Sequence, residues 1–244
     1  MSSDLPILFE DAHLLAIDKP VEVSFLRDRA GAPCVWDMLV ARQKAIGGPR
    51  PLQVHRLDKG TSGVLLVALS REAQSSLTRQ FADREVRKAY VAVTLGVPDP
   101  GRAVVDLPLR EGRKKRYRVA GQREHIAVSR DARPARVALA KRDDLPGKPA
   151  FESATSYRVL RESNGRALVL LRPYTGRTHQ LRVHLAWTGT PIVGDHLYGS
   201  PRDPAQQAAR LLLHHRAISF VAEWERGRPR RRIKAPLPSE FDLL

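Results

Sequence analysis

The stretch Thr61 to Leu69, TSGVLLVAL, constrains this chain more than any other. It is short, nearly continuous in apolar side chains, and reads as a buried strand. Ser70 then stands where a helix N-cap belongs, and Glu72 falls in the first turn, where a negative charge suits the helix dipole. Ala73, Leu77 and Phe81 recur at i, i+4 and i+8, which lays one apolar face along a helix. A buried strand needs partner strands on both sides, and the rest of the chain supplies candidates.

Ile7-Leu8-Phe9 and Leu14-Leu15-Ala16-Ile17 flank Asp11, a turn residue, and Pro20 ends the second run, so a hairpin is predicted. Residues 88–95 alternate, with Ala89, Val91 and Val93 against Tyr90, Ala92 and Thr94, as a half-buried strand does. Ala167 to Leu171 is a further strand and Pro173 to Arg177 a turn. Thr178 to Trp187 reads as a short helix closed by Gly189. Leu211 to Leu213 and Ile218 to Val221 read as two late strands. Strands and helices mix without regular βαβ alternation. The predicted class is α+β, with a mixed, mostly antiparallel sheet flanked by helices and loops. With 244 residues, 42% of them hydrophobic, the expectation is a single domain over 5–244 after a flexible 1–4.

Charge narrows the partners. Lys and Arg number 42 against 26 Asp and Glu, a formal net of +16. Such a field draws polyanions, of which nucleic acid is the usual one. An anionic membrane would call for a basic amphipathic helix, and none is evident. The remaining reading is a solvated basic protein without a partner. Residues 110–148 hold 13 basic against 5 acidic side chains and few large apolar ones. They read as exposed strands or a flexible arm, not a second domain, and residues 120–147 are expected to be dispensable for the core. Arg113, Lys114, Lys115 and Arg116, and the later run Arg226, Arg228, Arg230, Arg231, Arg232 and Lys234, are placed to hold phosphates, or else form solvated faces. Cys34 is the only cysteine, the N-terminus lacks the basic region of a signal peptide, and no apolar run approaches the ~20 residues that span a bilayer. A soluble cytoplasmic monomer, away from membranes, is expected.

Two clusters could carry chemistry. The first, His55-Arg56-Leu57-Asp58-Lys59-Gly60-Thr61-Ser62-Gly63, sets a carboxylate between cations at the head of the buried strand. Its bland reading is a polar turn with a surface ion pair, worth ~0–1 kcal/mol. The second, Arg172 to Arg182, places cations at the start of a helix, where they oppose the dipole and suggest an anionic partner. Its bland reading is a capped helix with solvated arginines. The nucleophile elbow and the phosphate-binding P-loop are both missing. Neither His179 with His184 nor His214 with His215 has metal-site spacing, so these histidines read as hydrogen-bonded structural groups.

HRLDKGTSGVLL at 55–66 closely resembles the catalytic motif of the RluA-type pseudouridine synthases. ILFEDAHLLAIDKP at 7–20, RKAYVAV at 87–93, RPYTGRTHQLRVHLA at 172–186, PIVGDHLYG at 191–199, RLLLH at 210–214 and APLP at 235–238 are similar to further family stretches, in order, over nearly the whole chain. The resemblance implies the pseudouridine synthase fold, structured RNA (ribosomal RNA or tRNA) as substrate, and isomerisation of uridine without cofactor or metal. It implies Asp58 as the catalytic aspartate, Tyr90 packed on the target base and Arg177 paired with Asp58. It also places Arg56, His55, Thr61, Leu213 and Arg182 at the substrate, Arg56 aiding extrusion of the base. Departures from the family are His215 for an alanine, Tyr174 for a leucine, His196 for a proline, a missing glycine turn after Pro20, and a longer 119–148. They bear on target choice. No segment before residue 5 is long enough for an S4-type RNA-binding domain, so the catalytic domain is expected to find its RNA alone.

Two rivals remain. One is a catalytically silent RNA-binding protein on the same scaffold, against which the presence of Asp58, Tyr90 and Arg177 argues. The other is a metal-dependent nucleic-acid hydrolase using Asp58 and His55, which lacks a second carboxylate beside Asp58 in sequence.

Overall fold

The computed structural model describes residues 5–27, 31–113, 116–141, 149–199 and 208–242. The chain forms two compact units, Met1–Lys88 with His214–Leu237, and Ala89–Leu213 with Pro238–Leu244.

The first unit opens with the expected hairpin, β1 (Ile7–Glu10) and β2 (Leu14–Lys19). Asp11 Oδ1 accepts the backbone N–H groups of His13 and Leu14 at 2.8 and 2.7 Å, which closes the turn. α1 (Val35–Ala45) was not legible in sequence: its apolar residues crowd into the first half instead of forming a stripe. β3 (Leu52–Gln53) pairs with β4 (Ser62–Ala68), all seven residues of which are buried. α2 (Arg71–Ala82) begins where predicted, with Ser70 Oγ accepting the Ala73 N–H at 3.2 Å. Ala73 and Leu77 are fully buried, and Leu77 packs with Leu14, Ala16, Val64 and Leu66 in the core of this unit. Each large aliphatic side chain buried there stabilises by ~1.5–3 kcal/mol.

The chain then enters the second unit. Along β5 (Arg87–Leu95) the expected alternation fails, since Val91 to Thr94 are all buried. Thr94 tolerates this because its hydroxyl donates to the Gly96 carbonyl at 2.8 Å. There follow β6 (Arg102–Asp106), the two-stranded ribbon β7 (Leu109–Glu111) and β8 (Tyr117–Val119), β9 (Ile126–Ser129), β10 (Ala135–Leu139), β11 (Ala154–Ser163) and β12 (Arg166–Pro173). The main sheet of this unit runs β5-β12-β11-β6-β10-β9, antiparallel except for the pair β10–β6. The basic segment is therefore no detached arm. It supplies two strands of the sheet, and Val119, Ala135 and Val137 are buried. Small apolar residues at alternate positions suffice to face a sheet, which a search for large ones misses. Lys114, Lys115 and 142–148 lie outside the described residues.

α3 (Gln180–Trp187) starts two residues later than predicted, because His179 adopts a left-handed conformation (φ 56°). Gly189 ends it at φ 89°, as expected. On its return the chain forms one strand, β13 (Leu213–Val221), where two were predicted. The polar residues that interrupt the apolar pattern are hydrogen-bonded inside: the His214 ring meets Ser62 Oγ at 2.9 Å, and His215 Nδ1 donates to the Val64 carbonyl at 2.7 Å. β13 lies parallel to β4 and pairs antiparallel with β14 (Arg230–Lys234), giving the first unit the order β1-β2-β4-β13-β14, with β3 against β4. The strands of each unit combine parallel and antiparallel pairs, so the α+β class with a mixed, mostly antiparallel sheet is what the chain adopts. Among the described residues no helix is long and apolar enough to cross a membrane.

Candidate active site

In the first unit the loop bearing Asp58 is held from both ends. The Asp58 carbonyl accepts the Thr61 N–H at 3.1 Å, closing the turn into β4, and Thr61 is itself buried. Lys19, at the end of β2, is fully buried. Its ammonium donates to the carbonyls of Pro20 (2.6 Å), Val23 (2.9 Å) and Lys59 (3.2 Å). Three donors meet three acceptors, and one acceptor belongs to the residue after Asp58. Between Pro20 and Val23 the chain turns through Glu22 at φ 61°, a conformation that favours glycine.

Gly63 explains a second feature of the motif. Its φ is 109°, and a Cβ there would sit 2.4 Å from the His215 carbonyl oxygen. β13 approaches β4 this closely only across a glycine. His55 Nε2 accepts the Leu66 N–H at 2.9 Å, and its ring stacks on Phe81 at 5.0 Å and meets His215 edge-on at 6.2 Å. Burial, aided by the positive charge of Lys88, lowers its pKa to about 3. At neutral pH the ring is thus an uncharged acceptor locked to strand backbone. Lys88 is itself lowered to about 8 by burial. Arg56 is exposed and Asp58 half-buried.

In the second unit Tyr90 lies on β5 opposite Leu171 of β12 and is half-buried. The turn bearing Arg177 is organised by Gln180, a buried amide with every partner filled. Its Oε1 accepts from Thr175 Oγ1 (2.6 Å) and from the Arg177 N–H (3.0 Å). Its Nε2 donates to the Ala154 carbonyl (3.0 Å) and to Thr155 Oγ1 (2.9 Å). The exposed Arg177 guanidinium donates from Nε to the Glu152 carbonyl at 3.1 Å and lies 5.2 Å from the Phe151 ring centre. Arg182 has a partner that the sequence did not suggest. Its guanidinium grips Asp195 through two bonds of 2.8 and 2.6 Å, with both side chains largely buried. The Tyr198 hydroxyl joins His179 Nδ1 at 2.8 Å and accepts the Tyr117 N–H at 2.9 Å. Leu213 is buried. Arg113 and Arg116 are exposed at the β7–β8 turn.

The fold thus collects His55, Arg56, Asp58 and Thr61 in one unit and Tyr90, Arg177, Arg182 and Leu213 in the other. Lys19 and Gln180 were missed as site residues. The only sequence signal for Lys19 is a cation closing an apolar strand before a proline; Gln180 gives none. Among the described residues no group of three or more His, Cys, Asp or Glu is placed to hold a metal ion.

Residues 13–187 match the family described as RNA pseudouridylate synthase. The chain is 37% identical over 224 residues to the dual-specificity RNA pseudouridine synthase RluA of Escherichia coli K12, covering 89% of this chain and 87% of that one. It is 35% identical over 240 residues to an uncharacterized RNA pseudouridine synthase of Zymomonas mobilis, covering 98% and 96%. The solved structure of human RNA pseudouridylate synthase domain containing 4 superposes with a TM-score of 0.76 at 27% identity, over 97% of this chain and 90% of that one. Motifs, fold and relatives agree: the chain belongs to the RNA pseudouridylate synthase family, among its RluA-type members.

Proposed function

We propose that this RNA pseudouridine synthase uses Asp58 as its essential carboxylate to isomerise specific uridines in structured RNA, ribosomal RNA or tRNA. The observation that carries the proposal is the Lys19 clamp. A buried ammonium bonded to the Lys59 carbonyl fixes the backbone beside Asp58, as a carboxylate that must meet one atom of an extruded nucleotide requires.

The reaction breaks the bond from ribose C1′ to uracil N1, rotates the base, joins C5 to C1′ and releases the proton from C5. No atom is gained and no electron leaves, so the protein's own groups suffice. Asp58 serves as the nucleophile or as the carboxylate that assists loss of the base. Arg177 is the cationic side chain proposed to act with it. Tyr90 offers a ring to stack on the uracil and a hydroxyl to help remove the C5 proton. Arg56, exposed two residues before Asp58, stabilises the base outside its stack, a state that costs a few kcal/mol. Thr61 and Leu213 are assigned to the substrate nucleotide. His55 and Arg182 act indirectly, His55 through the Leu66 amide and Arg182 through Asp195. Arg113 and Arg116, with Lys114 and Lys115, contact RNA backbone.

Asp58→Asn keeps shape and removes the anion. The expected outcome is loss of tritium release from RNA carrying 5-tritiated uridine, with RNA affinity held or raised and the melting temperature little changed. A silent RNA-binding protein would release no tritium even as wild type. Substantial turnover by well-folded Asp58→Asn protein would overturn the assignment.

A further inference from the structure

β14 has two unlike faces. Its register on β13 sets Arg231 opposite Phe220 and Ile233 opposite Ile218, the face that carries the core. Arg230, Arg232 and Lys234 stand opposite Val221, Ser219 and Ala217 on the other face, and all three are exposed. The arginine on the core side is already engaged. Arg231 binds both carboxylate oxygens of Glu225, with Nε 3.0 Å from Oε1, and lies 5.9 Å from the Phe9 ring centre. The only other acid between residues 214 and 237 is Glu223, which Ser76 and Arg79 hold. Among the described residues, no ion pair neutralises Arg230, Arg232 or Lys234.

Same-face residues of a strand repeat every ~6.6–6.8 Å, a step close to that between successive phosphates on one nucleic-acid strand. The row also has a direction. Lys234 faces Ala217, three residues past His214, the register partner of Ser62 at the head of β4. Arg230 faces Val221, four residues further on. The charges lead away from the strand end at which the Asp58 loop enters.

We propose that Arg230, Arg232 and Lys234 form a rail for the sugar-phosphate backbone of one strand of the substrate RNA, gripping successive phosphates beyond the target uridine. The rail rests on the reading of Asp58 as the group that meets that uridine. It touches phosphates alone, so it sets affinity and register on the RNA, not which base is chosen.

The test compares the full chain with an Arg230→Gln/Arg232→Gln/Lys234→Gln triple variant, with Arg232→Gln alone and with Arg231→Gln. Filter binding of a transcribed stem–loop RNA is measured from 50 to 200 mM salt, beside single-turnover tritium release at saturating protein. Each lost phosphate contact removes ~0.7–0.9 from the slope of log affinity against log salt. The triple variant should lose ~2–3 of slope and Arg232→Gln ~1, with the single-turnover rate unchanged. Arg231→Gln should keep the slope and lower the melting temperature. A wild-type slope in both the triple variant and Arg232→Gln, or an equal loss in Arg231→Gln, overturns the rail. A reduced slope in the triple variant with no tritium release by wild type would sink the Asp58 assignment and leave the rail standing.

Discussion

A buried ammonium is tolerated only when every proton it carries finds an acceptor, and Lys19 meets that condition with three carbonyls. Lys19→Met keeps the stem and removes the donors, leaving those carbonyls to find others. Charge-assisted bonds are worth ~1.5–3 kcal/mol each, offset in part by relief from burying a charge. A net loss of about 2–4 kcal/mol in urea unfolding is expected. Turnover should fall further than the folded fraction does, because the Lys59 carbonyl is freed beside Asp58. Activity in simple proportion to folded protein would reduce Lys19 to a stability residue. The motif HRLDKGTSG was legible because its chemistry is local; its anchor at residue 19 was not, because the contact spans 40 residues.

At the scale of elements, the basic segment forms strands, the first of the two readings its composition allowed, and not a flexible arm. β10 lies along β6, with Ala135 opposite Ala103 and Val137 opposite Val105. All four are buried. Replacing 126–139 by a short Gly/Ser linker removes β9 and β10 and strips β6 of one neighbour. A lower and broader thermal transition is expected, monitored by circular dichroism and calorimetry. An unchanged, cooperative transition would restore the dispensable-arm reading. The ambiguity has a physical origin. A strand of small apolar and basic residues can hide one face and solvate the other, and its hydropathy then resembles a loop.

For the molecule as a whole, pH tests how much of its stability depends on neutral histidines. His184, buried between Ser153, Thr155 and the Leu107 carbonyl, is lowered to about 4, chiefly by burial. His55 is lowered to about 3, and burial holds His215 well below its usual range. The unfolded chain protonates these rings near 6.5 while the fold does not. It therefore binds more protons below that pH, and stability must fall as pH drops from about 6.5 toward 4. Each ring contributes up to ~1.4 kcal/mol per pH unit. Lys88, lowered to about 8 by burial, has the same sign in another window: the unfolded chain keeps its proton longer, so stability rises between about 8 and the usual 10.5. Urea midpoints at pH 7, 5.5 and 4.5 should fall steeply, and His184→Asn should flatten part of that fall. A level wild-type profile would contradict the assignment.

By itself the sequence determined what short-range chemistry determines: the β1–β2 hairpin from Asp11, β4 from its apolar run, α2 from its cap and stripe, the polyanion-seeking charge, and the motif that carries Asp58. Only the tertiary structure decided the rest. α1 has no stripe to read. β13 is one strand because its histidines find buried partners 151 and 152 residues away. Lys19 and Gln180 matter through groups that folding alone brings within reach, and β14 sorts a uniform run of arginines into a paired side and an open one. A residue's propensity is written beside it in the chain. Its hydrogen-bond partner is fixed only when distant strands meet, because a buried polar group must be satisfied by whatever the fold places next to it.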